Sequence, residues 1–204
     1  MTESVASLAA SVNAHLVYLS TDAVFNGRKS WWSEANEPDP INEYGRTKLA
    51  GERSATRLHD DVSIVRTNFV GYTPAERQSL AEWMIDTLES GEELTGFEDV
   101  YFTPLYAGDL ASYILGLIEA EYTGQIHLSG SERISKLGFA REIADIFGFD
   151  SDLVRPIQVD DLDLDAPRGR DLSLSNARAQ EVLEEELPDV RTTLQHLKAE
   201  GNND

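Results

Sequence analysis

Apolar residues recur along this chain with two periods. Three short stretches are continuously apolar and end in hydroxyl or small residues: "HLVYLS" at 15–20, "VSIVRT" at 62–67 and "GQIHLSG" at 124–130. Such runs, lacking polar alternation, predict strands buried on both faces. Between them the spacing becomes helical, at 3–12 with Asn13 as a stop, at 74–91 ending at Gly91, and at 107–122. A helix capped by Asp39 and opened by Pro40 is predicted to run to about His59. Ser135 and Gly148 bracket another, as N-cap and left-handed stop. Two further helices are predicted at 171–183 and 190–200. Residues 26–40, with two tryptophans and two prolines, read as a loop, and short extended pieces follow near 93–102.

Strands alternating with helices of this length imply an α/β fold, a mostly parallel sheet with flanking helices. After about residue 67 the alternation loosens. That predicts one domain over 1–204 with a small C-terminal lobe, roughly 70–204, interleaved with the sheet.

Charge narrows the function. Seventeen Lys and Arg face 37 Asp and Glu, a net −20, and only four of the cations are lysines: Lys29, Lys48, Lys136 and Lys198. Such a field repels phosphate backbones and argues against nucleic-acid binding. The acid is spread along the chain rather than gathered in a tail. An acidic face for a cationic partner would account for it, but the even spread and scarce lysine favour hydration in concentrated salt, the habit of a halophilic organism. With no cysteine there is no disulfide or thiolate chemistry, and no run approaches the ~18 apolar residues of a membrane helix. A cytoplasmic protein is the expectation. The four histidines are scattered without metal spacing, and "DDLDLD" at 160–165 lacks the glycine and final glutamate of a calcium loop, so no metal is predicted. Trp31-Trp32 reads as a satellite apolar cluster, with a cover over a sugar or base as the alternative.

Tyr44 and Lys48 stand four apart and share a helix face. An ammonium beside a phenol stabilises the phenolate and makes the phenol a usable proton donor or acceptor. Thr21 falls at the carboxyl end of a buried strand, where open α/β sheets place their ligands. Its hydroxyl could donate to a carbonyl oxygen as charge develops there. Tyr-x-x-x-Lys alone is a short pattern that a surface pair would equally satisfy. Strand, Ser-Thr, loop and then Tyr-x-x-x-Lys together point to a catalytic site.

In "LSTDAVFNG", "EPDPINEYGRTKLAGE", "IVRTNFVGY" and "APRGRDLSLSNARAQ" the sequence resembles the extended short-chain dehydrogenase/reductases, within them the dTDP-4-dehydrorhamnose reductase branch. The first two segments are specific and the last two suggestive. The resemblance implies a Rossmann-like sheet, a substrate-binding lobe, NADP or NAD as cofactor and a nucleotide-linked 4-keto sugar as substrate. By it, Tyr44 would protonate the sugar C4 oxygen, Lys48 would hold the nicotinamide ribose, and Thr21 would bind the reacting oxygen. Asn68 would approach both nicotinamide and substrate. Asp22, Val24, Phe25 and Arg168 would line the nucleotide-sugar site. The family also often pairs helices across a homodimer, including the one that bears the tyrosine.

One departure stands out. Dinucleotide folds open with a strand, a glycine-rich turn and a helix whose N-terminus seats the pyrophosphate. None of the 14 glycines forms that fingerprint, and only one helix precedes the Ser-Thr turn. The expectation is that Met1 begins inside the full family fold. Beside the reductase reading, two alternatives then stand: a non-catalytic relative binding a nucleotide-sugar or a protein, or half of a split enzyme whose other half completes the sheet.

Overall fold

The computed structural model describes residues 1–73, 78–163 and 165–201. A parallel sheet of three strands forms its centre: β1 (Leu16–Thr21), β2 (Val62–Thr67) and, after four short strands, β7 (Gly124–His127). The sheet order is β1-β2-β7, with Thr21 beside Thr67 and Arg66 beside His127. The intervening short strands are β3 (Phe69–Val70), β4 (Leu94–Phe97), β5 (Tyr101–Phe102) and β6 (Leu105–Tyr106). β8 (Ile134–Ser135) pairs antiparallel with β5, and β9 (Val154–Ile157) pairs parallel with β4.

Seven helices flank these strands among the described residues: α1 (Thr2–Ser11), α2 (Glu43–Leu58), α3 (Leu80–Glu89), α4 (Ala107–Glu119), α5 (Lys136–Phe147), α6 (Ala177–Leu183) and α7 (Val190–Gly201). This is the α/β architecture with a parallel sheet that the hydrophobic runs predict. One core lies between α3, α5, α7 and β4, built on Met84, Leu94, Phe139, Ile143 and Leu194. A second packs α4 and α6 on the central sheet through Val65, Leu117 and Ile126. No helix among the described residues is long and apolar enough to cross a membrane.

Three boundaries differ from expectation, two through a local hydrogen bond and one through bonds to distant segments. The helix predicted from Asp39-Pro40 starts at Glu43, because the Asn42 side chain accepts from the Gly45 amide at 2.9 Å. Asp39 instead accepts from Asn26 at 2.9 Å. The helix predicted from residue 74 is described from Leu80, where Ser79 and Glu82 form a capping box. Residues 74–77 of that prediction, and Leu164 of the acidic stretch, lie outside the described residues. Finally, 171–175 lies outside any helix, and Asn176 caps α6. Leu172 N–H donates to Tyr101 O, Trp32 N–H donates to Ser173 O and Ser175 N–H donates to Trp32 O, so pairing with Tyr101 and the 26–40 loop takes the backbone groups a helix would need.

Beneath the carboxyl ends of β1 and β2 lies a buried ion pair. Arg66 and Glu52 are 0% and 2% exposed. Arg66 Nε and Nη2 donate to the two Glu52 oxygens at 2.9 and 2.7 Å, and Ser20 Oγ donates to the same carboxylate at 2.5 Å. The network ties β1, β2 and α2 into one unit.

His127 is fully buried, with Nδ1 3.0 Å from the Trp32 carbonyl. Burial first, and then the Arg66 charge, hold its imidazole down to about 3. A folded value below the ordinary one means that the unfolded chain protonates first on acidification. The stability from this site is therefore complete above about pH 6.5 and falls toward pH 3, by about 1.4 kcal/mol per pH unit. Urea unfolding should show about 2 kcal/mol less stability at pH 5 than at pH 7 from this group. A His127→Asn variant should lose that difference.

α2 approaches the turn after β1 so closely that a Cβ on Gly45 would lie 2.1 Å from Ala23 O and 2.9 Å from Pro40 Cβ. Backbone cannot yield as a flexible side chain does. Gly45→Ala should cost about 1–3 kcal/mol and raise the chain's sensitivity to urea.

α1 packs on α2 through Ala6 and Ala9. It leaves Val5, Leu8 and Val12 47%, 63% and 63% exposed, and Leu19 of β1 is 40% exposed. Among the described residues β1 pairs only with β2.

Candidate functional site

Parallel pairing brings the carboxyl ends of β1 and β2 side by side, so Thr21 and Asn68 emerge together although 46 residues separate Asp22 from Asn68. A cavity of about 290 Å³ opens there, lined by Ser20, Thr21, Asp22, Tyr44, Asn68 and Phe69, among others. Ser20 Oγ donates its hydrogen bond to Glu52. Thr21 Oγ1 accepts from the Ala23 amide at 3.2 Å and donates to Asp22 Oδ1 at 3.0 Å. Asn68 Nδ2 donates to the other Asp22 oxygen at 2.5 Å. Asp22 is 3% exposed, and burial raises its carboxyl above the usual range against the pull of Asn68.

Tyr44, the second residue of α2, is 59% exposed, and among the described residues its hydroxyl has no hydrogen-bond partner. Lys48 lies one turn on. Its ammonium donates to Leu19 O at 2.6 Å and sits 5.0 Å from the Tyr18 ring centroid. It faces the end of β1 and does not line the cavity that holds Tyr44.

Val24 and Phe25 fall elsewhere than the substrate wall expected of them. They are 0% and 1% exposed, in a cluster with Trp32, Leu49 and Leu174. Phe25 stacks on Trp32 at 4.6 Å. The apolar side chains of the turn pack inward and leave its polar ones, Thr21 and Asp22, at the cavity. Trp32 thus belongs to an apolar cluster, whereas Trp31 is 44% exposed.

Asn68 also lines a larger cleft of about 740 Å³ between α3, β4, β9 and the start of α5. Trp83, Phe97 and Leu162 give it apolar walls. Arg168 lines it too, its guanidinium 6.0 Å from the Phe97 ring centroid. Tyr44, Thr21, Asp22, Asn68 and Arg168 are thus distributed over two cavities that share Asn68.

Two features escaped sequence reasoning. The Glu52–Arg66 pair joins residues 14 apart in sequence on different elements, which no local motif reveals. Lys136 did carry a signal: it is one of four lysines and follows an N-cap serine, where acids are favoured and cations are not.

The α/β fold with its parallel central sheet defines the class of protein, and the comparisons give its family. Residues 1–202 match the RmlD substrate binding domain family, and the chain belongs to that family. It is 32% identical over 182 residues to the probable low-salt glycan biosynthesis reductase Agl14 of Haloferax volcanii, covering 84% of this chain and 61% of that protein. It is 31% identical over 163 residues to the methionine adenosyltransferase 2 subunit beta of Xenopus laevis, covering 76% of this chain and 48% of that one. Among solved structures, dTDP-4-dehydrorhamnose reductase from Bacillus anthracis in complex with NADP superposes with a TM-score of 0.90 at 28% identity, covering 98% of this chain and 70% of the other. The chain thus spans about half to six-tenths of the length of these two curated relatives.

Proposed function

We propose that this chain carries the substrate-binding and proton-donating part of an NAD(P)-dependent reductase of a nucleotide-linked 4-keto sugar, similar to dTDP-4-dehydrorhamnose reductase. The observation that carries the reading is the meeting of Tyr44, Thr21 and Asn68 around one cavity that adjoins, at Asn68, a cleft able to take a nucleotide. A reduced nicotinamide, when bound, supplies hydride to the sugar C4. Tyr44 gives its phenolic proton to the C4 oxygen, so the ketone becomes an alcohol. Thr21 turns its hydroxyl from Asp22 to the same oxygen and steadies the negative charge developing there. Asp22 then keeps Asn68 as its donor. Lys48 offers its ammonium protons beyond the one held by Leu19 O to the nicotinamide ribose. Arg168 faces the diphosphate.

The residues present fit the cofactor at its nicotinamide end. Tyr44 and Asn68 lie at the cavity and Lys48 beside it, whereas no glycine-rich turn within these 204 residues seats a pyrophosphate. Dinucleotide affinity then depends on a strand–turn–helix unit docking against the free edge of β1 and the apolar residues of α1, whether from the same polypeptide or another.

A second reading has its own support: the likeness to a methionine adenosyltransferase subunit favours a relative that binds a nucleotide-sugar or a protein without turnover.

Reduced nicotinamide absorbance separates the two. In concentrated KCl with a dTDP-linked 4-keto sugar, the reductase reading expects sugar-dependent NADPH consumption at high cofactor concentration. Tight sugar binding with no consumption, even when the glycine-turn unit is supplied, would favour the second reading.

A further inference from the structure

The larger cleft is charged in an unusual way for this chain. Against a net charge of −20, the only charged residues lining it, among those described, are two cations, Lys136 and Arg168. Neither has a carboxylate within 4.0 Å among the described residues, and neither side chain makes a hydrogen bond there. Lys136 is also placed at a cost. It is the first residue of α5, where the helix dipole opposes a cation, and its Nζ lies 3.0 Å from the Phe102 ring centroid.

We propose that Lys136 and Arg168 form a two-cation clamp for the diphosphate of a nucleotide-linked ligand, and that Lys136 takes up a proton from solvent as the diphosphate binds. The proposal rests on the reading of the cleft as a nucleotide-sugar site and adds to it the residue that discriminates the anion.

The charged groups facing Lys136 set the sign. Burial and the Arg168 charge push its ammonium down to about 7, and Asp22, buried beside Thr21, pulls the other way. The neighbours from α3, β4, β5 and β9 that line the cleft or touch Lys136 bring no charge. In the free cleft near neutral pH, Lys136 is therefore shared between two protonation states. A diphosphate placed between the two cations screens Arg168 and favours the charged form, so binding and proton uptake are linked. Arginine at this position would keep its charge and could not show the uptake.

Because the chain has only four lysines, ¹³C-lysine labelling gives a spectrum simple enough to follow each side chain. The full chain is titrated with pH, alone and with inorganic pyrophosphate, then with dTDP. One resonance, absent in Lys136→Arg, should titrate near neutrality and move upward by a unit or more when pyrophosphate binds. Lys136→Met should weaken pyrophosphate about tenfold or more, and Lys136→Arg should retain it. If no lysine titrates below about pH 9, or if Lys136→Met binds pyrophosphate as the wild type does, the clamp is wrong. These readouts need neither cofactor nor turnover, so the clamp can fail while the reductase reading survives, and the reverse.

Discussion

Glu52→Ala should cost about 3–5 kcal/mol of stability, the largest loss expected from any single substitution described above. The reason is the partner left behind. Arg66 is 0% exposed, and two of its guanidinium nitrogens donate to Glu52. Its Nη1 is already buried without a hydrogen-bond partner among the described residues. Removing the carboxylate strands a buried cation and leaves Ser20 without its acceptor. A double variant, Glu52→Leu with Arg66→Met, removes both charges and should be far closer to wild type than Glu52→Ala. Urea denaturation measures both. A Glu52→Ala loss under 1 kcal/mol would mean that water reaches Arg66 and the network is not closed.

Tyr44→Phe should behave in the opposite way, sparing the fold and removing turnover. Tyr44 is 59% exposed and its hydroxyl has no partner among the described residues, so the unfolding midpoint should stay within the ±0.5 kcal/mol usual for surface substitutions. Loss of a positioned proton donor should lower kcat about 10²–10⁴-fold with little change in KM. Steady-state NADPH oxidation, with the glycine-turn unit supplied if the chain alone binds cofactor too weakly, gives both constants. A Phe variant with wild-type kcat would remove Tyr44 from the chemistry. Lys48→Met does not separate the two effects, because the ammonium also bonds Leu19 O at 2.6 Å.

Much of this architecture was legible in the residues because it is local. Continuous apolar runs marked β1, β2 and β7, and Ser135 and Gly148 bracketed α5 by the chemistry of helix ends. What could not be read was settled by hydrogen-bond partners that the spacing does not show, some of them distant. Residues 171–175 carry helical spacing yet stay outside the helix, because the Trp32 loop and Tyr101 compete for their backbone groups. Asp39 looked like a cap, but Asn42, three residues nearer the helix, took that role.

The candidate site divides the same way. The strand–turn–helix motif pointed to Thr21 and Tyr44 and the family resemblance to Asp22, and all three line one cavity. A resemblance carried over residue by residue has no means of telling which turn residues face inward, so it included Val24 and Phe25, which are core. It also could not show that Lys48 turns to the Leu19 carbonyl, or that Lys136, 114 residues after Asp22 in sequence, shares its electrostatic field.

The measurement that bears most directly on the account is a crystal structure of the chain with dTDP-rhamnose, the product form of the proposed ligand. The account predicts the C4 hydroxyl within about 3 Å of both the Tyr44 and Thr21 hydroxyls, and the diphosphate between Lys136 and Arg168. A nucleotide bound outside the 740 Å³ cleft, or a sugar directed away from Tyr44, would contradict it.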